Sequence, residues 1–330
     1  EEKILNPKNV IELSDQIYYE VEPCKVLNNE TPEYMSNKVI FFNDKITRYS
    51  IQNVTIIGQS DIIGEKNKFF HLYANNFEHL RISEELHGQA FFSKKKGKSG
   101  TRLILMTKPK KYLKYLDSSE KYYHLTGSTT SNYAHWLTEH LPKVLYIKDE
   151  KFTLIIDSGI HDNLKNSLKT ILRNKNFKVL ELGPFENYFC KELNFVSLKT
   201  FIPFEFRNII DSPIKENDTN FSKTALLSLR NHCLKNIKKK NLSKIFIYRN
   251  SMYRDFTNQK DISIFFEKNG FKIINPANYS FEEQVQIFSS ATHIVGQSGA
   301  GFANMIFSST SCKLLMFATN LNGGNYRYFS

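Results

Sequence analysis

Short apolar runs alternate with helical patterns through roughly the last hundred residues, and this alternation constrains the fold more than any other feature. The runs KIFIYR (244–249) and FKIINP (271–276) have the length and composition of buried strands. Between them, NQKDISIFFEKNG (258–270) has apolar residues at helical spacing and ends at Gly270. Because a β-α-β order places strands parallel to one another, this region predicts a doubly wound α/β domain.

The same alternation continues to the end of this region. SFEEQVQIFSSA (280–291) predicts a helix opened by a capping box of Ser280 and Glu283. Further elements predicted from the pattern are strands at 292–296 and 313–317 and a helix at 300–309.

An earlier β-α-β pattern begins near residue 131. SNYAHWLTEHLPKVLYI (131–147) predicts a helix with Ser131 or Asn132 as its N-cap. A strand at 152–157, a helix at 163–176 and a strand at 177–182 follow. The first third of the chain has short β-branched and aromatic runs between turn residues, which indicates an irregular β-rich section.

A length of 330 residues suits two medium domains. Residues 203–220 are polar, contain prolines and lack periodicity, as expected of a linker. We therefore predict one domain at 1–220, comprising a β-rich section 1–120, a Rossmann-like section 121–205 and a linker 206–220. A second Rossmann-like domain is predicted at 221–330.

The formal net charge of +12 is concentrated in three lysine-rich runs, at 94–100, 108–114 and 235–240. Such runs suit anionic partners, among them nucleotide phosphates and anionic lipid headgroups. No RNP, zinc-finger or basic-zipper pattern is present, so we expect no nucleic-acid partner. No apolar run has the roughly 18–20 residues that a membrane span needs, and the polar first residues do not resemble a signal peptide.

The four cysteines, Cys24, Cys190, Cys233 and Cys312, are scattered and have no metal-binding spacing. We expect free thiols in a reducing cytosol. The sequence also lacks D-x-D, H-E-x-x-H and H-x-x-x-H patterns, so we expect no metal and no cofactor.

The segment IVGQSGAGFANMIF (294–307) places a glycine-rich loop between a predicted strand and a predicted helix. A nucleophile elbow with Ser298 would need an acid and then a histidine later in the chain. Neither follows Ser298, so a serine hydrolase is disfavoured. A phosphate site needs only Gly296, Gly299 and Gly301, which let the backbone approach an anion, and the free N–H groups of a helix start. The alternative that the glycines merely permit a tight turn stays open.

Two further pairs of residues have side chains suited to binding or catalysis. Arg249 ends a predicted strand at the same edge as the glycine loop, and Arg254 follows it. Their guanidinium groups could bind phosphate oxygens, or they could be an ordinary surface pair. His135 and Glu139 lie four residues apart on one helical face, as a general-base pair would. An exposed helix with a single ion pair is the alternative.

Taken together, these motifs resemble glycosyltransferase family 61 over about residues 120–318. The helix motif N-Y-x-H-W-L-x-E is matched from Asn132 to Glu139, with Tyr133 and His135 at their expected places. The other matches are Tyr248, Arg249, Arg254 and Asn258; Ser280, Phe281, Glu283 and Gln284; and Gly296, Gly299, Ala300, Gly301, Asn304 and Phe307. Three positions depart from the family: Gln297 replaces Pro, Ser298 replaces His and Gln259 replaces Glu.

The resemblance implies a GT-B fold, with two Rossmann-like domains facing across a cleft, and an inverting transfer from a nucleotide sugar. The domain 221–330 would hold the donor, and the domain 1–220 would face the acceptor through Asn132 and Tyr133. Glu139 would be the base, and His135 would orient it or bind the acceptor. The donor-binding residues implied are Arg249, Arg254, Glu283, Gln284, Ser298, Gly299, Ala300, Gly301 and Asn304. The capping box already accounts for Glu283.

We therefore predict an inverting, metal-independent glycosyltransferase that builds a bacterial capsule or lipopolysaccharide. Its partners would be a nucleotide sugar and a glycan or lipid-linked oligosaccharide. The protein is expected in the cytoplasm, with its basic runs able to hold it at the anionic inner face of the membrane. The alternative, suggested by Ser298 and Gln259, is a non-catalytic nucleotide or glycan binder on the same scaffold.

Overall fold

The structure is a computed structural model of the chain. It describes residues 3–4, 9–21, 27, 39–43, 45–60, 62–65, 68–71, 90–94, 101–105, 113–127, 129–184, 186–198, 200, 221–235, 237, 243–250 and 256–317. The predicted linker 206–220, Arg254, Cys24 and most of the three basic runs lie outside these residues.

The N-terminal half is built around a mixed sheet of ten strands. Its order is β1-β7-β6-β5-β14-β11-β12-β13, with β2 and β10 paired to β5 and β14. Its strands are β1 (Lys3–Ile4), β2 (Asn9–Glu12), β5 (Thr47–Ile57), β6 (Ile62–Glu65), β7 (Lys68–His71), β10 (Lys114–Tyr115), β11 (Tyr122–His124), β12 (Lys151–Asp157), β13 (Asn176–Leu182) and β14 (Asn187–Ser197). Two separate pairs are antiparallel: β3 (Ile17–Val21) with β4 (Val39–Asn43), and β8 (Ala90–Lys94) with β9 (Thr101–Leu105). The predicted β-rich first section is therefore present.

Strands β11, β12 and β13 are parallel; β12, β13 and the helix between them are the predicted β-α-β unit, whereas β11 was not predicted. The first connection is a helix over residues 133–146, here called α1, and the second is α2 (Asp162–Ile171). Along β12, Leu154 and Ile156 join the core beneath these helices, whereas Ile155 joins the core on the opposite face. This alternation is that of a strand buried on both sides.

Helix α1 is irregular along its length. The Asn132 side chain caps it by accepting from the amides of Ala134 and His135. An α-helical turn, Tyr133–His135, leads into a π-helical segment, Trp136–His140, and a 3₁₀ segment, Leu141–Tyr146. Pro142 has no N–H and cannot continue an α-helical ladder, which explains a change of hydrogen bonding at this point. π-helical segments occur often at functional sites.

Two longer elements were also not predicted from the sequence. The 11-residue strand β14 pairs with β5 along its whole length. Helix α3 (Lys223–Leu234) begins at Ser222, whose side chain accepts from the Ala225 amide.

The C-terminal half contains a four-stranded parallel sheet in the order β16-β15-β17-β18. Its strands are β15 (Ser243–Ile247), β16 (Phe271–Ile274), β17 (Ala291–Gln297) and β18 (Lys313–Phe317). The helices between them are α4 (Gln259–Lys268), α5 (Phe281–Ser289) and a 3₁₀ helix, Ala300–Phe307, which we call the loop helix. The predicted alternation of strands and helices is confirmed, and the chain has a mixed α/β fold. The loop helix is 3₁₀-helical and is two residues shorter than the predicted 300–309.

One hydrophobic core contains side chains from both halves. Trp136 of α1 and Leu168 of α2 belong to the same cluster as Phe281 of α5 and Phe307 of the loop helix, and all four are buried. Helices α2 and α5 pack against each other, as do α1 and the loop helix. The two sheets are thus connected by a shared layer of helices.

Two further observations concern membrane-spanning helices and the cysteines. Within the described ranges, no helix has both the length and the apolar character required to cross a bilayer. The three described cysteines, Cys190, Cys233 and Cys312, are free thiols.

Candidate functional site

The order of the C-terminal sheet creates a topological switch point. From β15 the chain passes to β16 on one side of the sheet and then to β17 on the other. Ligands of doubly wound sheets bind outside the carboxyl ends of the two strands that flank such a point. Here those ends lead into Tyr248 and Arg249 after β15 and into Ser298 to Gly301 after β17.

The Arg249 side chain reaches across from one strand end to the other. Its Nη1 donates a hydrogen bond to the Ser298 carbonyl at 2.7 Å. The Gln259 amide donates to the Arg249 carbonyl and so ties the start of α4 to the same point. Arg249 as a whole is half-buried. The structure thus brings together the arginine and the loop that the sequence paired.

The three glycines of the loop differ in how much space a side chain would have and in which neighbour it would meet. A Cβ on Gly299 would lie 2.7 Å from Nη1 of Arg249, and one on Gly296 would lie 2.9 Å from the Ile247 carbonyl oxygen. A Cβ on Gly301 would meet nothing closer than 3.4 Å. Gly296 therefore serves the packing of β17 on β15, which supports the tight-turn alternative for that residue. Gly299 is what lets the guanidinium lie against the loop.

The loop helix points its amino end at this place. The amides at the start of any helix have no partner within it, and they carry the positive end of the helix dipole. Ser298, Gly299, Ala300 and Gly301 are all half-buried, so this end is not sealed by the protein. At the other end Arg230 of α3 donates to the carbonyls of Ile306 and Ser308, where a cation complements the dipole.

Gln297, the last residue of β17, lies beside this loop. It is 4% exposed, and its side-chain oxygen has no hydrogen-bond partner among the described residues. In the sequence, Gln297 differs from the family pattern but carries no other sign of a role. A buried acceptor without a donor is unusual in a folded protein.

Asn304 and Gln284, both predicted to bind the donor, are buried and contact each other. The Asn304 Nδ2 donates to the Gln284 Oε1 at 2.8 Å and to the Gly301 carbonyl at 3.2 Å. The Asn304 Oδ1 accepts from the Tyr133 hydroxyl at 2.6 Å. These three predicted site residues therefore form one hydrogen-bonded chain between the loop helix and α1.

Glu283 and Asn132 act as helix-capping residues. The Glu283 carboxylate accepts from the Ser280 amide at 2.8 Å, and the Ser280 hydroxyl accepts from the Glu283 amide. This is the capping box that the sequence predicted. Asn132 caps α1 in the same manner.

The His135–Glu139 pair is formed as predicted, but in a buried setting. The His135 Nδ1 contacts the Glu139 Oε1, and the two side chains are 7% and 3% exposed. The alternative of an exposed helix with an ion pair is therefore wrong. With Nδ1 held by a carboxylate, Nε2 is the ring nitrogen that could take a proton.

Two histidines and a lysine near this pair were not predicted. His124 and His140 are 3% and 0% exposed, and Lys143 is 3% exposed. Burial, assisted by the Lys143 charge, lowers the pKa of His124 to about 3 and the pKa of His140 well below its usual value. Each ring contacts a threonine hydroxyl through Nε2, but neither Nδ1 has a hydrogen-bond partner in the described part of the chain. Both imidazoles are therefore neutral.

Asp157 is a second unpredicted group, at the carboxyl end of β12. Its carboxylate accepts hydrogen bonds from the Gly127 amide at 2.8 Å, the Thr130 hydroxyl at 2.6 Å and the Gln59 amide. Burial raises its pKa from 3.8 to about 6, although the three donors act in the opposite direction. Asp157 thereby fixes the loop that leads into α1. A lone Asp at the end of a predicted strand was the only signal in the sequence.

The described residues contain no group of three or more His, Cys, Asp or Glu side chains arranged to hold a metal ion.

Comparison with known proteins gives one family. A family model described as Glycosyltransferase 61 matches residues 133–315, which is more than half of the chain. The match begins at Tyr133 and ends within β18, so it includes α1, the switch point and the loop helix. No curated protein matches the chain.

Proposed function

The chain belongs to glycosyltransferase family 61 and is a glycosyltransferase, and from this we propose that it is an inverting enzyme whose nucleotide-sugar donor binds at the switch point of the C-terminal sheet. The arrangement of Arg249 against the Ser298–Gly301 loop carries this proposal. A guanidinium and the amides of a helix start, both at the carboxyl edge of a doubly wound sheet, suit a diphosphate.

The protein must assist this reaction in two ways. The acceptor hydroxyl oxygen forms a bond to the anomeric carbon as the bond from that carbon to the diphosphate oxygen breaks, and the hydroxyl proton leaves. Negative charge then develops on the diphosphate. Arg249 and the loop amides would stabilise that charge in a half-buried site, where electrostatic interactions are stronger than in water. Arg254, which is not among the described residues, would add a second positive charge to this stabilisation. No metal is required by this scheme.

The proton would go to the His135–Glu139 pair. Because the carboxylate engages His135 Nδ1, we assign His135 as the group that takes the proton and Glu139 as the group that orients it. This reverses the two roles that the family resemblance implied.

The roles of the two halves, the acceptor and the location in the cell are proposed from the family resemblance. The N-terminal half would face the acceptor and the C-terminal half the donor, in a GT-B arrangement. The acceptor would be a glycan or lipid-linked oligosaccharide of a bacterial capsule or lipopolysaccharide. The basic runs would hold the enzyme in the cytoplasm at the anionic face of the membrane, where such lipid-linked acceptors lie.

A non-catalytic nucleotide binder is the second candidate. It is favoured by the replacement of two family residues by Ser298 and Gln259. In the structure, the Gln259 side-chain amide donates to the Arg249 carbonyl, so this replaced position directly contacts the arginine of the proposed donor site.

One experiment separates the two candidates. Release of nucleoside diphosphate from UDP-, GDP- and CDP-sugars would be measured for the wild type and for His135→Gln and Glu139→Gln. We expect turnover in the wild type and a loss of about 10²–10⁴-fold in kcat for His135→Gln, with nucleotide affinity kept. Glu150→Gln is the matched control, because this carboxylate lies 80% exposed on the surface of the same half.

Each outcome has a meaning. A wild type that binds a nucleotide but never turns over any sugar would support the binder. Wild-type turnover that both variants retain would remove the proton-accepting role from the His135–Glu139 pair.

A further inference from the structure

A single buried amide connects the two parts of the proposed site. Asn304 is 0% exposed and uses both ends of its side chain. Its Nδ2 donates to the Gly301 carbonyl, in the loop at the donor site, and to Gln284 of α5. Its Oδ1 accepts from the hydroxyl of Tyr133, a residue 171 positions earlier in the chain.

Tyr133 is the first residue of α1, two positions before His135. Burial raises the pKa of its phenol, so the hydroxyl is protonated at any physiological pH and acts as the donor. Because α1 is one continuous helical segment, a displacement of Tyr133 would also displace His135 and Glu139.

A second connection lies beside the first. The carbonyl of Tyr279 accepts from Gln284 Nε2 at 3.0 Å and from Asn163 Nδ2 of α2 at 3.1 Å. Helix α1 is therefore hydrogen-bonded to the loop helix, and α2 is hydrogen-bonded to Tyr279, which precedes α5 and is itself bonded to Gln284 of that helix. The side-chain atoms of Asn304 and Gln284 are occupied by these contacts, which leaves little for them to offer a donor.

We infer that Tyr133 is a positioning residue: its hydrogen bond to Asn304 sets the distance between the proton-accepting pair on α1 and the diphosphate loop at Gly301. Asn304 and Gln284 act in the same way, by joining the two halves, instead of binding the donor directly. This inference rests on the proposed function, since positioning has a meaning only if both parts act on one reaction. Small displacements of reacting groups can cost about 10²-fold in rate.

Tyr133→Phe removes the one hydroxyl and keeps the ring. We expect kcat to fall about 10- to 100-fold while the KM for the nucleotide sugar changes less than about threefold, because the donor loop itself is unchanged. Tyr123→Phe is the matched control. Its hydroxyl makes a 2.7 Å hydrogen bond to Asp149, within the N-terminal half alone, and the side chain is 2% exposed.

Hydrogen exchange gives a readout that does not depend on turnover. In the wild type, the nucleoside diphosphate that binds among UDP, GDP and CDP should slow amide exchange in residues 299–307 and also in residues 133–140. In Tyr133→Phe the first effect should persist and the second should disappear. Tyr123→Phe should keep both.

The outcomes distinguish the inference from the proposed function. If no nucleotide slows exchange at 299–307 in the wild type, the donor site is misplaced and the proposed function fails. If the nucleotide acts at 299–307 but never reaches 133–140, or if Tyr133→Phe shows the full response and an unchanged kcat, the positioning role is overturned and the donor site stands.

Discussion

At the scale of single residues, the donor site depends on a glycine that accommodates a guanidinium. Gly299 and Arg249 approach so closely that a methyl group between them would overlap Nη1. The sequence predicted both residues as site residues but attributed the glycine to the approach of a ligand. The structure shows that a side chain of the protein approaches it first.

We expect Gly299→Ala to weaken nucleotide binding without unfolding the protein. The new Cβ would lie 2.7 Å from the far end of a flexible side chain, so the guanidinium can move aside at small cost in stability. Its displacement should raise the Kd for the nucleoside diphosphate about tenfold, as measured by calorimetry. Gly301→Ala, whose nearest neighbour would be at 3.4 Å, should bind nearly as the wild type does. Equal weakening by both substitutions would contradict this account.

The residues that the sequence failed to reveal share one property. His124, His140, Lys143 and Asp157 are polar side chains buried at 3% exposure or less. Nothing in their local sequence distinguishes them from surface residues, because burial of this kind follows from the packing of distant strands and helices. His135 and Glu139 were found because their spacing on one helix is itself the signal.

At the scale of elements, strands and helices with strong sequence periodicity were predicted well, whereas elements without it were missed. The C-terminal strands and α5, with its capping box, were predicted within a few residues. Strand β14 was missed because it lies between β5 and β11 in the sheet and its alternation is interrupted by charged residues. The irregular hydrogen bonding of α1 was also beyond a propensity argument, since it depends on Pro142 and on the tertiary contacts of this helix.

The loop before α1 provides a prediction about an element. In Asp157→Asn, one carboxylate oxygen that accepts a hydrogen bond becomes an NH₂ group facing an N–H or O–H donor. We expect a loss of about 1–3 kcal/mol in the free energy of unfolding, measured in urea. Asp162→Asn, on an exposed aspartate in the first turn of α2, should change stability by less than about 0.5 kcal/mol. Similar losses in both variants would count against the anchoring role of Asp157.

At the scale of the whole molecule, the two halves share a helical core and a chain of buried hydrogen bonds. The sequence predicted two α/β halves joined by a linker, and the family resemblance implied a cleft between them. Which helix faces pack together cannot be read from amphipathic patterns, because the apolar faces of α2 and α5 would suit many partners. The contact between Tyr133 and Asn304 joins residues whose pairing no local pattern indicates.

The buried ionisable groups predict how global stability depends on pH. His124 and His140 are neutral in the folded protein but gain a proton below about pH 6.5 when it unfolds, so each favours unfolding as the pH falls. Asp157 acts oppositely between pH 3.8 and about 6, where only the folded state keeps its proton. The buried histidines outweigh the one aspartate, so the free energy of unfolding should fall on acidification from pH 6 to pH 4, by on the order of 1 kcal/mol per pH unit.

Urea unfolding at several pH values tests this directly. The substitution His124→Gln should make the free energy of unfolding depend less steeply on pH. It removes one group that titrates only in the unfolded chain, so unfolding takes up about one proton fewer. Stability that is constant or rises on acidification from pH 6 would show that these histidines are not held neutral by the fold.

The account as a whole depends on where the pyrophosphate part of the donor binds. Its most direct test is to measure the affinity of UDP, GDP and CDP for the wild type, Arg249→Gln and Arg173→Gln, and to determine the crystal structure with the tightest of them. Arg173 is an exposed arginine just beyond α2 and serves as the charge-matched control. We predict a diphosphate bound between the Gly299–Gly301 amides and Arg249, with a Kd at least tenfold higher in Arg249→Gln and unchanged in Arg173→Gln. A diphosphate bound elsewhere, with equal affinity for all three proteins, would contradict the account.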